Sequence, residues 1–295
     1  MARQRKHDRT LLSPAPAGQG PVERLVRLWL AVGFFLVLAL FPFYWMAITS
    51  LKPNSQLYSR RAMPLVVHNP TLKHYIDLLT ETSFLTWTWN TMLVAVVSTA
   101  ISLVLGVMLA YPLARMRFAG AGLIAMTVAA IYLVPQPLLF IPLADLINRL
   151  GLGNTLTAVI LTYPTMLVPF CAWLLLGYFK TVPMELEEAA RIDGASRLQA
   201  MTRIVLPLCT PGLLSAGIFS FTLAQNEFLY ALIFLAKSEV RTVPIGVVTE
   251  LIRGDVFYWG QLMAGALLGS IPVAIIYSFF VEHYVAGLTS GSVKG

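Results

Sequence analysis

Side chains that could do chemistry are few in this sequence, and most of the polar ones gather in one stretch, EEAARIDGASRLQAMTRIVLPL, which spans residues 187–208. The chain has no G-x-x-x-x-G-K-[ST] phosphate loop, so we expect it to bind no nucleotide itself. His68 and His74 fall in a predicted outer loop without neighbouring ligands. Cys171 and Cys209 lack the spacing of a disulfide framework or a metal site. The sequence therefore predicts no catalytic residue and no metal site.

Local chemistry predicts two short helices joined by a sharp corner in this polar stretch. Pro183 suits the first turn of a helix, and the acidic residues that follow it lie where the helix dipole favours negative charge. Gly194 is suited to the left-handed backbone that ends a helix. Ser196 can cap a second helix, and Pro207 marks the start of the next apolar segment. On helix chemistry alone, a solvated, charged loop is the simpler interpretation.

The rest of the chain is too apolar for a soluble protein. Hydrophobic residues make up 57% of its 295 residues and charged residues only 12%, against about 25% charged residues in average chains. Windows long enough to cross about 30 Å of hydrocarbon predict six spans, at about residues 25–49, 89–114, 121–144, 155–179, 206–236 and 262–286. We therefore expect an all-α, polytopic membrane protein with six transmembrane helices.

Basic residues predict the orientation of these spans. The short loop ARMRF between spans two and three carries Arg115 and Arg117 and no acid, which favours the cytoplasmic side. The same rule explains the net charge of +7 better than nucleic-acid binding does. The predicted organisation is a cytoplasmic leader (1–24), a six-span domain (25–286) with a cytoplasmic loop at about 180–207, and a cytoplasmic tail (287–295).

Prolines inside two spans indicate a packed bundle around a pathway. Pro135 and Pro137 lie in span three, and Pro164 and Pro169 lie in span four. Such breaks persist in lipid only where neighbouring helices or a wet cavity satisfy the freed carbonyl groups.

Polar side chains within the spans are candidates for contact with a solute. Glu227 is a carboxylate predicted inside a span, and a charge at the bilayer centre costs about 2.5–3.5 kcal/mol, so it should line water or pair within the bundle. Asn226 and Glu227 could hydrogen-bond the hydroxyl groups of a solute. A structural clasp between helices is the competing interpretation of Glu227. The weaker candidates, which also suit helix packing, are Tyr230, Gln136 and Tyr163.

The polar stretch resembles the signature of the permease subunits of bacterial ATP-binding-cassette importers. That signature is E-A-A, three residues, G, nine residues and then I-x-L-P, and the residues that match it at full spacing are Glu188, Ala189, Ala190, Gly194, Ile204, Leu206 and Pro207. The resemblance implies the type I importer permease fold. It also implies that the first short helix couples to a cytoplasmic ATPase subunit, with Glu188 supplying a polar contact and Gly194 the corner.

Further segments resemble the carbohydrate-uptake, maltose-permease-like branch of that family. They are LAYPLARMRFAG, IPLADLINRLGLGNT, AQNEFLYALIFL and the closing VAGLTSGSVKG. In one permease subunit of the maltose type the tail inserts toward the ATPase dimer interface, and the residues that would do so here are Gly287, Gly291, Lys294 and Gly295. Gln225 departs from the branch, which commonly has an aromatic residue at that place, so a sugar contact is not carried over to it.

The resemblance implies a transport subunit rather than an enzyme. Its solute would be a sugar or oligosaccharide, and the chain would form half of the pathway in a bacterial inner membrane. The implied partners are a second related permease subunit, two cytoplasmic ATPase subunits that hold ATP and Mg, and an extracytoplasmic solute-binding protein. The chain itself would bind no cofactor.

Two alternatives stay open at this point. The same machine could carry a polyol or a glycerol-phosphate-like solute, and the sequence does not separate these cargoes. In a different class, an ion-coupled secondary transporter would work alone, with carboxylates near the midplane and repeat symmetry. Glu227 is the candidate for such a role, and the polar stretch would then have no partner.

Overall fold

The computed structural model describes residues 21–59 and 63–290, and within them the chain is mostly helical. The helices are α1 (Pro21–Leu51), α2 (Asn54–Leu57), α3 (Lys73–Glu81), α4 (Phe84–Arg115), α5 (Ala121–Tyr132), α6 (Phe140–Arg149), α7 (Leu156–Thr162), α8 (Pro164–Thr181), α9 (Met184–Ile192), α10 (Arg197–Ala200), α11 (Leu206–Leu208), α12 (Thr210–Gln225), α13 (Leu229–Phe234), α14 (Val243–Leu251) and α15 (Trp259–Ser290). One antiparallel hairpin, β1 (Ile252–Arg253) with β2 (Val256–Phe257), is the small exception to the predicted all-α class in the described residues.

Four segments of the described part of the chain are long and apolar enough to cross a membrane without a sharp bend. They are α1, α4, α7 with α8, and α15. Two further candidates are bent pairs: α5 with the segment from Gln136 to Arg149, at 100°, and the segment from Arg197 to Leu208 with α12, at 78°. Counting each bent pair as one span gives the six that the sequence predicts.

The breaks in the bent pairs have a simple cause, because proline has no N–H to continue a helix. Pro135 and Pro137 lie at the break in the third span, as predicted. The prediction of one continuous span over 206–236 is wrong. The chain bends between Leu208 and Thr210, where Pro207 and Pro211 flank the corner, and α12 then ends at Gln225 before the separate helix α13.

Two predicted boundaries also differ. Helix α4 begins at Phe84, five residues before the predicted start of span two, so Trp87 is a fully buried core residue. Helix α15 runs to Ser290, beyond the predicted end of span six, so the predicted tail begins inside a helix. His74 is not in an exposed loop, because it lies in α3, is 5% exposed, and has its Nε2 atom 2.8 Å from the carbonyl oxygen of Lys52.

Helix α4 connects three clusters of buried apolar side chains. Its first turn supplies Phe84 and Trp87 to one cluster, its middle supplies Val94 to a second, and its last turns supply Tyr111 to a third. At about 1.5 Å per residue, a helix of 32 residues is about 48 Å long. One continuous helix therefore joins both ends of the bundle.

Candidate functional site

The polar stretch folds as the two short helices and the corner that local chemistry predicts. Helix α9 begins after Pro183 and ends at Ile192, and Gly194 follows with φ +90°, which confirms the predicted left-handed corner. The Ser196 hydroxyl accepts from the Gln199 N–H at 3.3 Å, and the Gln199 side chain accepts from the Ser196 N–H at 2.8 Å. This reciprocal pair is a capping box, so the predicted cap is also confirmed.

The second helix widens into one turn of π-helix, Met201–Val205, before α11. Pro207 has no N–H to donate to the carbonyl group four residues earlier, which lies in that turn, and such turns are frequent at functional sites. Val205 is fully buried, Ile204 and Leu206 are half-buried, and Pro207 is exposed. Residues 204–206 at the end of the motif therefore pack against the bundle.

The start of the motif lies on the surface. Glu188 and Ala189 are exposed and Ala190 is half-buried. The same two helices also expose large apolar side chains, Leu186 and Ile192 on α9 and Leu198 on α10. Ile192 is 86% exposed, which is unusual for an isoleucine in an ordinary soluble surface.

Glu187, which sequence reasoning did not single out, turns inward from the same helix. Its side chain is 9% exposed, and one of its carboxylate oxygens accepts a hydrogen bond from the Tyr111 hydroxyl. Its other oxygen, Oε2, lies 3.5 Å from Nε of Arg115, whose side chain is 3% exposed. The sequence indicates only that Glu187 and Glu188 point in different directions, because adjacent residues of a helix lie about 100° apart around its axis. It does not say which of the two is buried.

A charged cavity of about 260 Å³ lies beside this contact. Its charged lining consists of Glu187 and Glu188 together with Arg115, Arg117, Arg191 and Arg197. The cations outnumber the acids there, so the carboxylate of Glu187 lies in a positive environment.

The predicted pathway residues do not converge on one site. Asn226 lines a cavity of about 370 Å³ between α4, α12, α14 and α15, together with Gln225. Gln136 and Tyr230 line a separate cavity of about 40 Å³. Tyr163 is fully buried, with its ring centroid 6.4 Å from that of Tyr230.

Asn226 and Gln225 present different polar groups to the larger cavity. Asn226 is exposed, and its Nδ2 atom donates to the carbonyl oxygen of Thr222 at 2.9 Å. Gln225 is 8% exposed and donates from Nε2 to the carbonyl oxygen of Gly269 at 3.1 Å. Its Oε1 atom is buried without a hydrogen-bond partner among the described residues.

Glu227 is buried and caps the start of α13. It is 7% exposed, and its two carboxylate oxygens accept from the N–H groups of Tyr230 at 2.8 Å and Ala231 at 3.1 Å. Both N–H groups belong to the first turn of α13, where a helix leaves its donors unpaired. The structure thus favours the structural interpretation of Glu227 over solute contact.

The predicted tail is described only at its start. Gly287 lies within α15. Gly291, Lys294 and Gly295 lie outside the described residues.

Comparison with known proteins places this arrangement in one family. Residues 102–290 match the family model described as "Binding-protein-dependent transport system inner membrane component". The chain is 37% identical to the sulfoquinovosyl glycerol transport system permease protein SmoH of Agrobacterium fabrum, over 90% of this chain and 93% of that protein. It is 35% identical to the trehalose/maltose transport system permease protein MalG of Thermococcus litoralis, over 92% and 99% of the two chains.

A solved structure shares the fold. A chain of a bacterial ABC transporter involved in the import of the acidic polysaccharide alginate superposes with a TM-score of 0.76. The match covers 90% of this chain and 99% of that chain at 21% identity. The predicted importer permease fold is therefore confirmed.

Proposed function

The chain belongs to the binding-protein-dependent transport system inner membrane components, and on that premise we propose that it is a permease subunit of an ATP-driven importer of a sugar or oligosaccharide. The observation that carries the proposal is the exposed helix α9, which presents Glu188 and Ala189 at one end of the bundle. The same helix exposes Leu186 and Ile192, and exposed apolar side chains grouped in this way are typical of a surface on which another protein docks.

The proposed assembly contains partners of three kinds. A second, related permease subunit completes the pathway, two ATPase subunits hold ATP and Mg, and a solute-binding protein delivers the solute from outside. This chain is a transport subunit without an ATPase site of its own. The sequence supports the assignment of ATP hydrolysis to separate subunits, because it contains the E-A-A motif but no phosphate loop.

We place the α9 end of the bundle, and both termini, in the cytoplasm of a bacterium. Four arginines, Arg115, Arg117, Arg191 and Arg197, line the cavity at that end, and basic residues collect on the cytoplasmic side of membrane proteins. With this orientation the cavity beside Asn226 lies toward the other side of the membrane, because α4 separates the two.

The coupling residues have distinct roles in this proposal. Glu188 makes the polar contact with the ATPase subunit, the small Ala189 and Ala190 allow it to approach closely, and Gly194 sets the corner. The exposed Ile192 adds apolar area to the same docking surface. Ile204 and Leu206, which are half-buried, attach the second helix to the bundle, and Pro207 begins the corner that leads into the next span, so that the docked surface and the spans move together. The tail residues Gly287, Gly291, Lys294 and Gly295 are proposed as a second ATPase contact.

The solute pathway is proposed to run past the larger cavity. Asn226 is exposed there and offers an amide to sugar hydroxyl groups, and Gln225 adds a buried carbonyl oxygen without a partner among the described residues. Gln136 is exposed on the smaller cavity and remains a weaker candidate. Glu227, Tyr163 and Tyr230 are buried, so their proposed contribution is to hold the walls in place.

Reconstitution of the full complex in proteoliposomes tests the function. We expect solute uptake only when ATP and the solute-loaded binding protein are both present, and loss of that uptake in Glu188→Lys. Uptake by this chain alone, driven by an ion gradient and indifferent to ATP, would overturn the proposal. A thermal-shift screen of the binding protein against sugars, polyols and phosphorylated solutes tests the cargo, and stabilisation by sugars is the expected result.

A further inference from the structure

Helix α9 carries two adjacent acidic residues that differ in exposure, although both line the charged cavity. Glu188 is exposed at the surface proposed to meet the ATPase subunit. Glu187 is buried, and its contacts run to the last turns of α4. A buried carboxylate needs compensation by hydrogen bonds and opposite charge, so these contacts decide where Glu187 can lie.

The carboxylate of Glu187 is held by two side chains one turn apart on α4. The Tyr111 hydroxyl donates to Oε1, and Arg115 Nε lies 3.5 Å from Oε2. Among the described residues neither Arg115 Nε nor Glu187 Oε2 has a hydrogen-bond partner, so the polar contact that these two atoms make is the ion pair between them. The side chains of this pair are 3% and 9% exposed, which removes most of the screening that weakens surface pairs.

Arg115 also fixes the beginning of α9. Its Nη2 atom donates to the carbonyl oxygen of Val182 at 2.9 Å, and its Nη1 atom lies 2.9 Å from Sδ of Met184. The end of α4 therefore contacts α9 at Met184 and at Glu187, which both belong to its first turn. These contacts hold the start of α9 against the end of α4.

The other end of α4 lines the cavity beside Asn226. Thr88, Thr91 and Met92 of its first turns lie in that lining. A displacement of α9 that is transmitted to Arg115 would thus reach the cavity through a single helix about 48 Å long.

We propose that Glu187 is a positioning residue that latches α9 to α4 through Tyr111 and Arg115, so that movement of the docked helix reaches the solute pathway. The inference rests on the proposed function, in which Glu188 binds the ATPase subunit. The two acids have complementary roles, because Glu188 receives the movement and Glu187 passes it on to α4.

Charge explains why the latch needs a carboxylate at this position. Arg117, Arg191 and Arg197 line the same cavity, so Glu187→Gln leaves Arg115 without its counter-ion in a positive environment. Removing one partner of a buried pair is strongly unfavourable, and the uncompensated Arg115 is expected to turn toward water and release α9.

The experiment uses the full complex in proteoliposomes and measures solute imported per ATP hydrolysed. In Glu187→Gln we expect ATP hydrolysis to continue while this ratio falls by about tenfold or more. The matched control is Glu185→Gln, which removes an exposed acid from the same helix and should leave the ratio unchanged. A merely structural role would lower the amount of complex and both activities together, and would leave the ratio alone.

A second variant covers the case in which Glu187→Gln does not assemble. Tyr111→Phe removes one hydrogen bond and keeps the buried ring, and it should lower the ratio by about two- to fivefold. A wild-type ratio in Glu187→Gln, or in Tyr111→Phe if only that complex assembles, overturns the latch while the proposed function stands. Absence of ATP-dependent uptake in the wild-type complex overturns the proposed function instead.

Discussion

Gly106 on α4 lies directly against Cys171 on α8, so that a Cβ atom at position 106 would lie 2.6 Å from Cβ of Cys171. Real Cβ atoms do not approach so closely, and the helices would have to separate to admit one. Small residues permit this kind of close approach between membrane helices. Because α8 leads directly into α9, the approach also fixes where α9 meets the end of α4.

Gly106→Ala should therefore destabilise the assembled permease. Overpacking of a tight contact costs about 1–3 kcal/mol, and we expect a lower midpoint of thermal unfolding for the detergent-purified complex. Gly177→Ala is the matched control, because a Cβ atom there has no neighbour within 4 Å. Equal midpoints for the two variants would show that α4 and α8 are not held at this separation.

Gly194 offers a graded test of the corner after α9. A Cβ atom there meets no neighbour within 4 Å, so its backbone φ of +90° is the only obstacle to substitution. Left-handed backbone costs roughly 1–2 kcal/mol for most residues, is tolerated better by asparagine, and is closed to proline. ATP-dependent uptake should fall in the order Gly194→Asn, Gly194→Ala, Gly194→Pro, with membrane insertion intact. Equal uptake in all three variants would mean that uptake does not require left-handed backbone at position 194.

This corner also shows what could be predicted from sequence. The turn at Gly194 and the cap at Ser196 depend on the chemistry of one residue and its near neighbours, so local rules suffice for both. Similarly, the break at Pro135 and Pro137 follows from the loss of backbone donors. The same rule is not sufficient at Pro169, which lies inside the continuous helix α8. The family motif then indicated the fold, which no local rule contains.

Other features of the structure could not be predicted because they depend on contacts between residues that are distant in the sequence. Sequence reasoning put Glu188 in the site and passed over Glu187, since nothing local says that Tyr111 and Arg115, more than 70 positions earlier, lie beside it. His74 was expected in an exposed loop, but it lies in a helix that packs on the bundle. The break at Asn226 was missed because the apolar segments on both sides of Gln225, Asn226 and Glu227 together form a window long enough for one span.

Glu227 can be tested as a clasp rather than a solute contact. Glu227→Ala leaves the N–H groups of Tyr230 and Ala231 without acceptors, and each buried unpaired donor costs about 1–3 kcal/mol. We expect a lower unfolding midpoint in Glu227→Ala and a smaller change in Glu227→Gln, which keeps one acceptor oxygen. An unchanged midpoint with a raised solute concentration for half-maximal uptake would instead assign Glu227 to the solute.

Substitution of Asn226, unlike that of Glu227, should affect solute binding and not stability. Its side chain is exposed on the larger cavity, so Asn226→Ala should raise the solute concentration for half-maximal uptake and leave the unfolding midpoint nearly unchanged. Asn148→Ala is the control, because it removes an exposed asparagine from α6, which does not line that cavity. If the two variants transport alike, the pathway does not pass Asn226.

The most direct test of the account is whether α9 touches the ATPase subunit. Cys171 and Cys209 are both buried, so a cysteine placed at an exposed position can be cross-linked selectively. In the assembled complex, Ala189→Cys should give a cross-linked product with the ATPase subunit, and Glu81→Cys, which lies at the opposite end of the bundle, should give none. Absence of the product from Ala189→Cys in a complex that imports solute with ATP would contradict the account.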